Sequence, residues 1–381
     1  MKCRTFGTLE WKASALGFGC MRLPVLSGGF GSADVDQPEA IRMIRHAIDS
    51  GVNYFDTAYS YHGGQSEVVL GKALRDGYRE RVRVATKLPP WLVKEAADFD
   101  RILNEQLQRL QTDSIDFYLF HALNGKYWQE VVLRHGLLEK AAAALADGRI
   151  RHLGFSFHSD FETFEEILSA TDLWSLCQIQ YNYVNVEFQA GVRGLRMATD
   201  RGLAVVAMEP LLGGRLADPP AEIRQILAEF PLERTAVEWA LDWLWDQPEV
   251  SLVLSGMSTM AQLNENLRLA RQARVHCFGT KDQVMIDKVR EGYNARTVIP
   301  CTRCGYCMPC PQGVDVPANF ELFNHARVFD DVTTARFRYG FALQAQQRAS
   351  GCTQCGMCEE VCPQQIPVKE WMREVGKLLG S

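Results

Sequence analysis

Short apolar runs that alternate with amphipathic stretches constrain this chain more than any other feature. Runs near 16–20, 52–56, 82–86, 114–120, 152–156, 176–180, 203–208 and 251–255 have the length and apolar character of buried strands. After the first run a helix is predicted from Asp36 or Pro38 to about Ser50. Helical patterns follow the other runs at 66–78, 95–110, 128–146, 161–169, 189–202, 234–245 and 261–271. Eight strand–helix pairs over about 275 residues predict an α/β fold, a (β/α)8 TIM barrel. A doubly wound sheet is the competitor, but no GxGxxG follows an early strand. Residues 4–9 and 11–18 read as a small hairpin and the first strand, 27–33 as a loop, and 280–295 as one more amphipathic helix. The barrel domain is therefore placed at 1–295.

The runs end on reactive side chains. Val52 to Phe55 delivers Asp56, and five residues on, Tyr61 sits in a polar loop with Gly63 and Gly64 before Ser66 opens a helix. VRVATK ends on Lys87, and IDFYLFH on His121. A barrel gathers the C-terminal ends of its strands on one face, so these four are expected to converge there. Their types fit proton transfer. A phenol near pKa 10 is a poor acid–base at neutral pH unless a cation stabilises its anion. Lys87 is placed to be that cation, with Asp56 holding the ammonium. His121 can donate a hydrogen bond to a carbonyl oxygen. Singly, Tyr61 reads as well as a surface aromatic, and His121 as a satisfied strand-end histidine. Four together make catalysis the better reading.

From Cys301 the composition changes. Eight of the twelve cysteines fall after residue 300, while Cys3, Cys20, Cys177 and Cys277 are isolated. That distribution points to metal, not disulfides. CTRCGYCMPCP supplies Cys301, Cys304, Cys307 and Cys310; CTQCGMCEEVCP supplies Cys352, Cys355, Cys358 and Cys362. The second is C-x2-C-x2-C-x3-C-P, a signature of 4Fe-4S clusters in which the fourth thiolate reaches the other cluster. Two clusters are expected, one on Cys301, Cys304, Cys307 and Cys362, the other on Cys352, Cys355, Cys358 and Cys310. The first motif has two residues before Cys310 instead of three, so a single cluster is the alternative. Zinc is the other, since zinc sites built from four cysteines share the C-x2-C spacing. The helical spacer between the motifs predicts a mainly α-helical ferredoxin-like domain over 296–381. No internal repeat or low-complexity segment stands out.

A formal charge of −5 with no basic run argues against nucleic acid as a partner. No 18-residue apolar segment exists to insert in a membrane, and the N-terminus lacks a signal-peptide apolar region, so a cytoplasmic protein is expected.

The first 295 residues resemble the aldo-keto reductases. RTFGTLEWKASALGFGCMR is similar to that family's opening hairpin and first strand, and FDTAYSY, ATK and FYLFH to its catalytic motifs. The resemblance implies Asp56, Tyr61, Lys87 and His121 as a catalytic tetrad with Tyr61 as general acid, and a nicotinamide cofactor, NAD or NADP. CTRCGYCMPCPQGVDVP resembles the ferredoxin-like extension of one branch of the family.

The resemblance also implies cofactor residues. Gly19, Cys20 and Met21 end the first strand; Ser156 and Gln178 match positions that bind the nicotinamide carboxamide. Met208 stands where many members stack an aromatic ring, followed by Glu209 and the turn with Gly213. Ser255, Gly256, Met257, Ser258 and Gln262 match the loop and helix start that hold the adenosine phosphate, a natural anion site, and Glu265 and Asn266 an adenine-facing pair. No basic residue lies in 255–266, which predicts little preference for NADP, unless Arg22 or Arg215 reaches the phosphate from elsewhere. The expected activity is reduction of an aldehyde or ketone, or oxidation of the alcohol, with clusters that exchange electrons with a redox protein partner. Nicotinamide passes two electrons and each cluster one, so a flavin is not excluded. An electron-transfer protein or redox sensor without carbonyl turnover is the alternative. Oligomeric state is not legible.

Overall fold

The computed structural model describes residues 1–28, 31–230, 234–301 and 303–380. Positions 29 and 30 of the expected 27–33 loop lie outside the described residues. The chain divides into two compact units: Met1–Gly213 with Val237–Gly279, and Gly214–Ala236 with Thr280–Ser381.

In the first unit, β1 (Cys3–Phe6) and β2 (Leu9–Ser14) form an antiparallel hairpin. Eight parallel strands follow: β3 (Leu16–Gly19), β4 (Tyr54–Asp56), β5 (Arg83–Leu88), β6 (Ile115–Leu123), β7 (Ile150–Phe157), β8 (Trp174–Gln180), β9 (Ala204–Met208) and β10 (Val250–Gly256). They close in chain order, β10 pairing with both β9 and β3, which is the expected barrel. The run expected as one strand over 11–18 divides at Ser14. There the Ser14 N–H donates to Asn53 Oδ1 at 2.7 Å and Oγ donates to the Leu16 carbonyl at 2.7 Å, which separates hairpin from barrel. The helix expected over 128–146 also divides, into a π-helical turn Trp128–Leu133 and the helix Leu137–Ala146, with Gly136 at φ 60° between them.

Strand periodicity decides what lines the barrel. Tyr54 and Asp56, Ala85 and Lys87, Phe117, Leu119 and His121, and Leu176 and Gln178 are two apart on their strands and share a face. The lower residues of each set form one apolar cluster with Phe6, and partly buried Trp11 packs against it. The Phe6 ring lies 5.1 Å from Phe117 and 5.8 Å from Tyr54, so the hairpin plugs the barrel's N-terminal end. The layer above is polar: Asp56, Lys87 and Gln178 are all buried.

The second unit is mainly helical, as expected. Its core joins Phe320 and Phe323 of helix Val316–Val328, Tyr339 of Val332–Ala342, and Met372 and Val375 of Val368–Leu379. Asp315 and Asp331 cap two of these helices, accepting from Ala318 and Thr334 N–H at 3.0 Å. Helix Thr280–Ala295 packs here against Ala221–Ala228, a helix the sequence reading did not anticipate. Gly292 makes room, since a Cβ there would stand 2.8 Å from Ile226 Cδ1. Arg296 adds ion pairs to Glu222 and Asp330 and a hydrogen bond to the Val328 carbonyl. Among the described residues, no helix is long and apolar enough to cross a membrane.

Candidate functional site

The three strand residues Asp56, Lys87 and His121 converge with Tyr61 of the loop after β4. Lys87 Nζ donates to Asp56 Oδ1, to the Thr57 carbonyl at 2.8 Å and to Tyr61 OH at 3.4 Å. Burial alone would pull the ammonium's pKa down, but Asp56 and Tyr61 outweigh it and the net shift is upward, so Lys87 is cationic. Tyr61 departs from the expected behaviour. Burial pushes its phenol above the ordinary value, and Lys87, which pulls the other way, does not overcome it. The physical reason is that Lys87's charge is shared with Asp56, whose carboxylate itself disfavours a phenolate. Tyr61 is held as a protonated donor.

His121 completes the group. Its ring lies 5.7 Å from that of Tyr61, edge-on, and 5.1 Å from Trp91. Burial, then Lys87 and His158, hold the imidazole well below its usual range, so it is neutral. Its Nδ1 is buried without a hydrogen-bond partner. The phenol O–H and the N–H of a neutral imidazole on neighbouring rings can both donate to one oxygen. Trp91 and Tyr127, with ring centroids 6.1 Å apart, supply apolar surface next to it.

The loop carrying Tyr61 is fixed from behind. Tyr61 opens a tight turn to Gly64 in which His62 and Gly63 have φ of 52° and 61°. Arg109 Nη1 donates to the Tyr59 carbonyl at 3.0 Å, and Tyr59 OH donates to Glu105 at 2.8 Å. Arg109 also meets Glu67, which is fully buried and accepts from Thr86 Oγ1 at 2.6 Å and Gln106 Nε2 at 2.7 Å.

The residues expected around a cofactor divide into two groups. Gly19 pairs with Asp56 and with Gly256 across the β3–β4 and β10–β3 registers. Cys20 is buried beside Asp56, and burial followed by that carboxylate pushes its thiol well above the usual range; Met21 is exposed. Ser156 and Gln178 are paired across β7–β8, and both are buried. Ser156 Oγ accepts the Ala122 N–H at 2.8 Å, and Gln178 Nε2 donates to Asp56 Oδ2 at 2.5 Å. Met208 ends β9, half-buried, and Gly213 turns the following loop at φ 71°.

The second group follows β10. Asn266 is buried and donates to Ser255 Oγ at 3.0 Å, so its amide is turned inward. Gln262 Oε1 accepts the Ser258 N–H at 2.8 Å, and Thr259 Oγ1 accepts the Gln262 N–H at 3.2 Å. Two N–H groups expected for an anion are therefore engaged within the segment. Met257 is buried, Gly256 exposed and Glu265 intermediate.

Arg22, set aside on sequence as a distant alternative, lies at this place. A Cβ on Gly256 would meet the Arg22 stem at 3.0–3.2 Å; burial lowers the pKa of its guanidinium, and the charge of Glu209 acts against that. Chain order contained the signal, since a barrel's last strand must pair with its first.

In the second unit, none of the eight clustered cysteines is in a disulfide. Cys301, Cys304 and Cys362 line one pocket and Cys310, Cys352 and Cys355 an adjoining one, with Cys307, Cys358 and Tyr306 on the wall common to both. Burial and the neighbouring sulfurs push Cys301 and Cys307 up, and Cys358 to about 11. Crowded sulfurs of this kind are deprotonated by a positive centre among them. A zinc ion about 2.3 Å from each sulfur needs all four within ~4 Å of one another. Among the described residues no three His, Cys, Asp or Glu side chains converge on a single ion, and the donor set, eight thiols in two Cys-x2-Cys-x2-Cys runs, is that of 4Fe-4S clusters. The motifs also repeat in backbone: Arg303 and Gln354 have φ of 60° and 63°, Gly305 and Gly356 of 78° and 84°.

A closed (β/α)8 barrel with a phenol, an ammonium and a neutral imidazole at its strand ends defines an oxidoreductase of the barrel type. Residues 15–275 match the aldo/keto reductase family, and the chain belongs to that family. Residues 300–366 match a 4Fe-4S dicluster domain. The chain is similar to the uncharacterized oxidoreductase YqkF of Bacillus subtilis, 24% identical over 72% of this chain and 93% of that protein. Among solved structures it is similar to the aldo-keto reductase AKR11C1 of Bacillus halodurans in its holo form, 25% identical with a TM-score of 0.64 over 76% of this chain and 96% of that one. It is likewise similar to the thermostable aldo-keto reductase Tm1743 in complex with the inhibitor epalrestat, 26% identical with a TM-score of 0.64 over 76% and 100%.

Proposed function

We propose that this protein reduces an aldehyde or ketone with a nicotinamide cofactor, or oxidises the corresponding alcohol. The observation that carries this reading is the chain Asp56–Lys87–Tyr61, which ends at a phenol whose ring lies 5.7 Å from that of His121. The nicotinamide supplies or takes the hydride. Tyr61 OH gives its proton to the carbonyl oxygen as negative charge develops there, and Lys87 stabilises the phenolate left behind. Asp56 keeps the ammonium in place, and His121 orients the oxygen. Trp91 and Tyr127 exclude water from one side.

The groove for the cofactor runs from Ser156 and Gln178 past Met208 and Gly213 to Ser255–Gln262, with Gly19, Cys20 and Met21 on its other wall and Arg22 as the cation for the phosphates. Two unsatisfied buried atoms, Gln178 Oε1 and His121 Nδ1, support a ligand at one end of it. Cys301, Cys304, Cys307 and Cys362 would hold one 4Fe-4S cluster and Cys310, Cys352, Cys355 and Cys358 the other, giving one-electron carriers that exchange with a redox protein partner. The C-x2-C-x2-C-x3-C-P spacing, in which the fourth thiolate serves the other cluster, supports this assignment, and Cys362 lies in one pocket with Cys301 and Cys304 while Cys310 lies in the other with Cys352 and Cys355. A cytoplasmic, reducing compartment keeps such thiolates available.

The test is anaerobic turnover of NADH and NADPH with a panel of aldehydes, then with an artificial one-electron acceptor. Aldehyde-dependent oxidation that Tyr61→Phe abolishes supports the reading. Oxidation that needs only the one-electron acceptor would favour an electron-transfer protein.

A further inference from the structure

Helix Val332–Ala342 of the second unit carries two aromatic rings on its solvent side. Phe337 and Phe341 are four apart, so they share one face of the helix, and their rings lie parallel, 6.2 Å between centroids with planes 3° apart. They are 57% and 84% exposed, and Phe341 is the most exposed large hydrophobic residue among the described ones. The other side of the helix is anchored. Tyr339 is buried; its OH donates to Asn319 Oδ1 at 3.0 Å and accepts the Ala349 N–H at 2.8 Å. Ala349 stands three residues before Cys352, and Cys355 is exposed. The aromatic face and the segment that supplies Cys352, Cys355 and Cys358 thus share one hydrogen-bonded framework.

The same segment is basic. Residues 332–358 hold Arg336, Arg338 and Arg348 and no acidic residue, in a chain of net charge −5. All three guanidiniums have neutral partners. Arg336 Nε donates to the Leu378 carbonyl at 2.8 Å, Arg348 to the Leu343 and Gly340 carbonyls at 3.0 and 2.7 Å, and Arg338 Nη1 lies 3.4 Å from His325 Nε2. Carboxylates on the neighbouring elements are engaged elsewhere: Glu321 with Arg303, Asp330 with Arg296, Glu374 with Lys377, and Asp331 as a helix cap. Arg373 balances Glu370 on helix Val368–Leu379. Exposed rings among unneutralised arginines have the composition of a protein interface. A second copy would bring like charges face to face, whereas an acidic partner is attracted by them.

We propose that this face docks an acidic one-electron carrier protein, which seats on Phe337 and Phe341 and exchanges electrons with the cluster that Cys310, Cys352, Cys355 and Cys358 would hold. The inference rests on the cluster reading above and names where its partner binds. Each encounter moves one electron from donor to acceptor, and no bond is made or broken. Phe337 and Phe341 exclude water at the contact, and the three arginines set its orientation and the encounter rate.

The test is calorimetric binding of two purified probes, an acidic 2Fe-2S ferredoxin and a basic c-type cytochrome, to the full chain isolated without air. At low salt the ferredoxin is expected to bind at least about tenfold more tightly than the cytochrome. Its affinity should fall several-fold as salt rises from about 50 to about 300 mM. Phe337→Ser combined with Phe341→Ser should weaken ferredoxin binding by at least about tenfold. Arg336→Gln combined with Arg338→Gln should remove most of the salt dependence. Both rings are exposed, so the double serine protein should keep wild-type iron content and carbonyl reduction. Unchanged ferredoxin binding by that protein overturns the proposal, and so does a cytochrome that binds as well as the ferredoxin. It is overturned equally if the double serine replacement instead splits a dimer in sedimentation, or abolishes binding to vesicles of anionic phosphatidylglycerol while the ferredoxin does not bind. A chain without iron and sulfide would remove the cluster reading as well; full clusters with no ferredoxin binding overturn this inference alone.

Discussion

The side chain of Arg22 lies along Gly256, so close that a Cβ on the glycine would stand 3.0–3.2 Å from its stem. The pair brings a cation to a segment, 255–266, that has none of its own. Glu209 lies near enough to raise the pKa of Arg22 against the lowering effect of burial. A 2′-phosphate must compete with that carboxylate. NADPH is therefore expected to bind less than about tenfold more tightly than NADH. Glu209→Gln should free the guanidinium and raise the NADPH preference, and Arg22→Met should weaken NADPH. Fluorescence titration of both reduced cofactors checks this. A hundredfold preference for NADPH in the wild type would show that Glu209 does not hold Arg22 back.

Tyr61→Phe is expected to abolish carbonyl reduction while leaving nucleotide affinity nearly unchanged, because only the proton donor is lost. Burial keeps the phenol above its usual value of about 10, so the wild-type reduction rate should show no loss of the Tyr61 proton up to about pH 9. Lys87→Met removes a cation that pulls the phenol down. Alcohol oxidation, which needs the phenolate, should suffer more than reduction, by about tenfold for each unit the pKa rises. Stopped-flow rates in both directions across pH measure the difference.

Protein isolated without air should be brown and hold about eight irons and eight acid-labile sulfides per chain. Cys310→Ser should remove one cluster and spare the other, since that residue shares its pocket with Cys352, Cys355 and Cys358. Iron and sulfide analysis with electron paramagnetic resonance decides it. Near four irons in the wild type would show that the shorter first motif builds no second cluster.

Arg109→Met should destabilise the barrel by about 3 kcal/mol, the cost of leaving a buried carboxylate without its charge partner. Glu67 is fully buried, and burial already pushes its carboxyl up despite Arg109. Urea denaturation measures the loss, which Glu67→Gln in the same chain should largely restore.

His325 links stability to acid. Burial, then Arg215 and Arg338, lower its pKa to about 2, whereas an unfolded histidine titrates near 6.5. Its folded value is depressed, so its contribution is complete above about pH 6.5 and is lost as pH falls toward 2, at about 1.4 kcal/mol per unit. Between pH 7 and 5 the wild type should lose about 2 kcal/mol more than His325→Leu. Denaturation curves at the two pH values, taken anaerobically, test the sign and size.

Much of the molecule was legible without coordinates. The ends of the apolar runs specify that Asp56, Lys87 and His121 gather on one face of the barrel, and the spacing of Cys352, Cys355, Cys358 and Cys362 specifies cluster chemistry. Both follow from local geometry, which a sequence carries in full. What tertiary structure decided lies between residues far apart in the chain. Arg22 meets Gly256 because closing the barrel makes the last strand a neighbour of the first. Gln178 meets Asp56 across the barrel interior, 122 positions away. Tyr61 is a stronger holder of its proton than its neighbour Lys87 implies, because burial acts on the phenol and Asp56 shares the ammonium's charge. Desolvation and charge sharing depend on everything packed around a group, and no local pattern records that.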